Sequence, residues 1–174
     1  MADRSVIIDE KALALVESFK KAGLTVGFAE SLTGGLISAS VVNIPGASAV
    51  FKGSIVSYTN EIKENVLGVP ASVIAEHTEV SEECAMAMAC GAKRVLNCDV
   101  AVSVTGIAGP SGDLPGKPVG TVYMGYCHSD ENISGALRLN FTGDRYTIRS
   151  ETVMAALDCA AGFAKERQRV SGRE

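Results

Sequence analysis

The sequence predicts a three-layer α/β/α sandwich around a mixed, mostly parallel sheet of about five strands, in a single domain over residues 1–174. Three observations carry this expectation. A chain of 174 residues is long enough to bury a substantial core within one domain. Short apolar runs that end in turn residues are interleaved with segments whose apolar residues recur at helical spacing. The last two strand-like runs follow one another as a hairpin, so the sheet is not wholly parallel.

Taken in order, Asp9–Lys21 places Ala12, Leu15, Val16 and Phe19 on one helical face, with acids at its start and Lys20, Lys21 and Gly23 at its end. Thr25–Ala29 is the first strand. A tight turn at Glu30-Ser31 then opens a helix from Thr33 to Val42 through Gly34 and Gly35, with Ser31 or Thr33 as its cap. Asn43–Ser48 reads as a loop, and Phe51–Tyr58 as the second strand. Thr59-Asn60 caps a short helix that Gly68-Val69-Pro70 stops, and the stretch after it, containing Val73, Ile74 and His77, reads as a connection. Ser81-Glu82-Glu83 starts a helix whose stripe is Ala85, Met88, Ala92, Val95 and Leu96.

Asp99–Thr105 is apolar almost throughout, the mark of a central strand covered on both faces. It ends in a Gly/Pro-rich loop, Gly106–Pro118. Gly120–Cys127 and Ser134–Phe141 alternate as a hairpin joined through His128-Ser129-Asp130-Glu131-Asn132. Asp144–Gln168 is a long terminal helix, and 1–8 and 166–174 read as flexible ends.

With 47% hydrophobic and 21% charged residues the chain is globular, and disorder on a large scale is excluded. A net charge of -4 gives no general attraction to nucleic acid or to an anionic membrane. No apolar run approaches the roughly 20 residues that span a bilayer, and the N-terminus lacks a secretory apolar segment, so a cytoplasmic protein is expected. Cys84, Cys90, Cys98, Cys127 and Cys159 form no CxxC pair and read as small core residues of a reducing compartment. His77 and His128 have no metal-ligand spacing, so no metal is expected. The apolar tilt of the composition favours a homo-oligomer.

Open α/β sheets bind ligands beyond the carboxyl ends of their strands, and three such ends are furnished here: Glu30-Ser31, Tyr58-Thr59-Asn60 and Thr105-Gly106. A serine hydroxyl becomes a nucleophile only when a base takes its proton, and Lys63 is the available substitute for histidine. That role requires burial or a neighbouring positive charge to lower the lysine pKa. On spacing alone, the stronger reading of Lys63 is a solvated helix residue. Tyr58 is placed to relay the proton or to orient Ser31. The loop from Thr105 to Gly112 offers backbone N–H groups to a phosphate or carboxylate, or serves only to cross the sheet edge; no Gly-Lys-Ser/Thr closes it as a Walker loop. Arg145 is suited either to a phosphate or to a surface carboxylate.

Ala29–Gly35, Gly53–Asn60 with Lys63, Gly68-Val69, Thr105–Pro110, and Gly143–Arg145 with Ile148-Arg149 together resemble the C-terminal domain of the CinA family. That family includes stand-alone nicotinamide-nucleotide amidases, or NMN deamidases. The blocks run in the right order from about residue 9 to 165, with no counterpart of the family's molybdopterin-binding-like domain, so the stand-alone form is expected. The resemblance implies hydrolysis of the carboxamide of nicotinamide mononucleotide to nicotinic acid mononucleotide and ammonia, without metal or organic cofactor. It implies Ser31 as nucleophile, Lys63 as base and Tyr58 assisting. The substrate-binding candidates are Glu30, Thr33, Gly34, Gly35, Asn60, Thr105, Gly106, Ala108, Gly109 and Arg145. Among them, N–H groups near Thr33–Gly35 or at Gly106 are candidates for an oxyanion, and Thr105, Gly106–Gly109 and Arg145 for the phosphate. Two other readings stand beside this one: a nucleotide-binding regulatory module without chemistry, and a scaffold whose small-residue helix faces form interfaces.

Overall fold

The computed structural model describes residues 4–129, 133–170 and 172; the joint expected at Asp130-Glu131-Asn132 and positions 1–3, 171, 173 and 174 lie outside the described residues. Five strands form one sheet in the order β2-β1-β3-β4-β5. They are β1 (Val26–Glu30), β2 (Phe51–Val56), β3 (Val100–Gly106), β4 (Thr121–His128) and β5 (Ser134–Asn140). β1 runs parallel to β2 and β3, while β4 is antiparallel to both β3 and β5. Every strand except β4 therefore points the same way, and the mixed, mostly parallel sheet is as expected.

Helices cover both faces. α1 (Arg4–Ala22), α2 (Leu36–Val42) and α6 (Arg145–Val170) lie on one side, and α3 (Asn60–Asn65), α4 (Ala71–His77) and α5 (Glu82–Leu96) on the other. The period of two along β3 explains how one strand serves both layers. Val100, Val102 and Val104 enter the larger core with Leu15, Phe19, Phe28 and Leu157. Ala101 enters the smaller core with Met88, Ala92 and Leu67, and the Ser103 hydroxyl donates to the Ala85 carbonyl at 2.6 Å. Small residues on this second face let α5 approach closely. A Cβ on Gly125 of β4 would sit 2.2 Å from the Ala85 carbonyl oxygen, so only glycine fits there.

Ser81 caps α5 as its sequence implies, its hydroxyl accepting the Cys84 N–H at 3.1 Å. Several assignments differ from expectation; among them, β2 ends at Val56 rather than Tyr58. Residues 71–77 form α4 rather than a connection; none of its residues is fully buried, so no apolar stripe marked it. α2 begins at Leu36, not Thr33, because Gly34 (φ 61) and Gly35 (φ 97) take left-handed conformations that make a turn before the helix. Helix also covers positions 4–8 and 166–170, where the sequence suggested loose ends. Among the described residues, no helix is long and apolar enough to cross a membrane.

Candidate active site

The carboxyl ends of β2, β1 and β3 lie side by side, and the period of two decides which residues face the open edge. Phe28 and Glu30 turn toward α1 and α2, whereas Ala29 packs on the α5 side and Ser31 continues that register. The Ser31 N–H donates to the Val104 carbonyl at 3.0 Å, which fixes the residue at the sheet edge. Ser31 is buried, with 8% of its surface exposed.

Glu30 is fully buried and points away from that edge. Its Oε2 accepts from the Thr33 hydroxyl at 2.8 Å and from the N–H groups of Gly35 and Ile37 at 2.9 and 3.0 Å. Its Oε1 accepts from Ser38 N–H at 2.9 Å, Ser38 Oγ at 3.0 Å and Ser54 Oγ at 2.9 Å. The carboxylate thus caps the start of α2 from inside and holds the Ser31 turn in shape. Arg149 of α6 holds the same turn from outside, donating to the carbonyls of Leu32 and Thr33 at 2.9 and 2.7 Å.

Lys63 arrives from α3, whose first turn is capped by the Thr59 hydroxyl. It is 1% exposed. Its Nζ lies 2.9 Å from the Ser57 carbonyl and 3.2 Å from Ser31 Oγ. Burial lowers its pKa, and the weaker influences of Cys84 and Glu79 act in the opposite direction. The Cys84 thiol beside it is itself pushed up to about 11 by burial, so it is neutral and leaves the lysine without a fixed anionic partner on that side. A neutral amine in this position gives one hydrogen to the Ser57 carbonyl and turns its lone pair to the serine hydroxyl.

These two residues open onto a cavity of about 270 Å³. Of the residues expected from the sequence, Ser31, Tyr58, Lys63, Thr105, Gly106, Ala108, Gly109 and Arg145 line it together. Arg145 donates to the Gly109 carbonyl at 2.7 Å and to the Tyr58 hydroxyl at 3.4 Å, so it is held by the loop rather than by a surface carboxylate. Tyr58 is 60% exposed and meets Arg145 at the rim, while Lys63 reaches Ser31 without an intermediary. The Thr105 hydroxyl donates to the Glu79 carbonyl at 2.7 Å.

Glu30, Thr33, Gly34, Gly35 and Asn60 do not line the cavity. The first four build the turn behind it: Gly34 N–H donates to the Ser31 carbonyl at 3.1 Å and Gly35 N–H to Glu30, which removes both as oxyanion donors. Asn60 is exposed at the start of α3. The N–H groups of Leu32, Ala108 and Gly109, all at the cavity, have no acceptor among the described residues. Glu79, Ser111 and Gly112 also line it, and sequence reasoning did not single out Glu79. A signal existed. A helix that feeds a parallel strand begins at the carboxyl edge of the sheet, so the residues before Ser81 had to lie beside the strand ends.

The chain as a whole has relatives of known sequence and fold. The model of the CinA C-terminal domain matches residues 8–163. A CinA-like protein of Thermotoga maritima is 45% identical over 163 residues, 94% of this chain and 38% of the relative. One of Citrifermentans bemidjiense is 47% identical over 171 residues, 98% of this chain and 40% of the relative. The chain therefore spans about two-fifths of the length of these curated relatives. The crystal structure of a competence/damage inducible protein from Agrobacterium tumefaciens superposes with a TM-score of 0.86 at 36% identity, covering 90% of this chain and 94% of that one. Sequence and fold agree over nearly the whole chain, and this chain belongs to the CinA C-terminal domain family.

Proposed function

We propose that this chain is an amidase that hydrolyses the carboxamide of nicotinamide mononucleotide to nicotinic acid mononucleotide and ammonia. The observation that carries the reading is the 3.2 Å approach of a buried, pKa-lowered Lys63 to Ser31 Oγ at the floor of a cavity. Neutral Lys63 takes the Ser31 proton as Oγ bonds to the amide carbon. The oxyanion so formed lies near the Leu32 N–H, the amide that follows the nucleophile, and the open amides of Ala108 and Gly109; each well-placed donor contributes about 3 kcal/mol. The Lys63 ammonium returns its proton to the amide nitrogen as the C–N bond breaks, and ammonia leaves. Water then attacks the ester carbon and gives a proton to Lys63, which passes it back to Oγ as the C–O bond breaks.

Arg145, beside Tyr58, and the loop residues Ser111 and Gly112, all of which line the cavity, supply a guanidinium and backbone N–H groups for the nucleotide phosphate. Incubating the protein with nicotinamide mononucleotide and assaying ammonia tests the reading. Release by the wild type and its loss in Ser31→Ala support it. Binding of the nucleotide without ammonia points instead to a regulatory module.

A further inference from the structure

The cavity contains one carboxylate, Glu79, which the mechanism above does not use. Glu79 is half-buried, and among the described residues its carboxylate has no hydrogen-bond or ion-pair partner. A carboxylate at a cavity wall with no cation beside it favours a positively charged group on whatever enters the cavity. Its position is enforced by the chain on either side. Thr78 sits at φ 70 and ψ 168, a conformation a β-branched residue holds only under restraint. The restraint comes from Lys117, whose ammonium donates to the Thr78 hydroxyl and to the His77 carbonyl, each at 2.9 Å. Thr105 pins the Glu79 carbonyl at 2.7 Å. Glu79 lines the same cavity as Ser31 and Lys63 and is tied at its carbonyl to Thr105 at the end of β3, the strand beside β1, while Arg145 supplies the positive charge at the Tyr58 rim.

A nicotinamide nucleotide carries the matching layout: a cationic pyridinium ring next to the scissile amide and an anionic phosphate at the other end. Resting on the amidase reading, we propose that Glu79 is a specificity-determining residue that selects carboxamides on a positively charged ring, its carboxylate facing the pyridinium while Ser31 meets the amide. The attraction crosses a partly solvated gap, so it is worth about a tenfold preference rather than the far larger factor of a dry ion pair.

The test is a pair of ligands that differ in ring charge: nicotinamide mononucleotide and its uncharged 1,4-dihydro form. Calorimetry on Ser31→Ala protein measures binding without turnover. The expected result is about tenfold tighter binding of the oxidised form, falling to within about twofold when Glu79→Gln is added and largely kept with Glu79→Asp. A preference that Glu79→Gln leaves unchanged, no preference in the Ser31→Ala background, or failure to bind either nucleotide overturns the proposal. Ammonia release by the wild type is read separately. Charge selection without ammonia leaves Glu79's role standing and removes the amidase reading.

Discussion

Arg149 Nε donates to the carbonyl oxygen of Leu32 at 2.9 Å, joining the last helix to the residue that follows the proposed nucleophile. The same guanidinium holds the Thr33 carbonyl at 2.7 Å, so α6 braces the Ser31 turn although more than a hundred residues separate them. Replacing Arg149 with Met should lower kcat for ammonia release by about tenfold, because small displacements of a nucleophile are costly. KM should change little, since Arg149 does not line the cavity. Steady-state kinetics check this; an unchanged kcat means the turn holds its own shape.

Ser31→Ala and Lys63→Arg should each lower kcat/KM by a factor on the order of 1,000 or more. Arginine is the informative replacement for lysine, because it keeps a long cationic side chain but cannot lose its proton at accessible pH. Retention of a tenth or more of the activity by Lys63→Arg rules out the lysine as base.

Folding should depend on pH through Lys63. Its pKa in the folded chain is lowered by burial, so over the window between that value and the ordinary lysine value the unfolded chain binds more protons. Stability therefore rises with pH across this window, and wild type should gain relative to Lys63→Met as the pH is raised from 7 to 10. Urea unfolding at a series of pH values measures the difference; a flat difference would falsify the burial argument.

Glu30→Gln should destabilise the fold by about 3 kcal/mol, because one amide cannot accept from the six donors that the carboxylate serves and its own NH2 faces some of them. Denaturant midpoints read this directly. A loss of activity with full stability would instead place Glu30 in contact with substrate.

Tyr58→Phe separates two roles. A proton relay predicts a large fall in kcat, whereas a hydroxyl that orients Arg145 predicts a few-fold rise in KM with kcat nearly constant. The 3.4 Å contact between Arg145 and the Tyr58 hydroxyl, with Lys63 directly beside Ser31, predicts the second outcome for nicotinamide mononucleotide.

Much of this architecture was legible in the sequence, for a definite reason. Apolar runs that end in Glu30-Ser31, Tyr58-Thr59 and Thr105-Gly106 must converge if the strands are parallel neighbours, and they do. The depth of a side chain was not legible. Glu30 and Ser31 are adjacent and both look reactive, but the alternation of the strand sends one into the α2 layer and the other to the cavity. Lys63 reads more readily from spacing as a solvated residue, because no pattern within its short helix marks its burial, which depends on neighbours such as Cys84 of α5. Glu79 was overlooked because it follows α4, a helix with no buried stripe, and its place depends on contacts from Thr105 and Lys117 far along the chain.

The reversed direction of β4 has a practical corollary. Because β3 leaves the sheet at the same rim where β4 enters it, residues 107–120 form a closed excursion whose two feet are tied together, Ile107 N–H to the Thr121 carbonyl at 2.9 Å and Gly120 N–H to the Ile107 carbonyl at 2.8 Å. Such a stem insulates strand register from whatever it carries. Changes within the excursion therefore act on the cavity wall through Ser111, Gly112 and Leu114 and leave the pairing of β3 with β4, and the serine and lysine beyond it, in place.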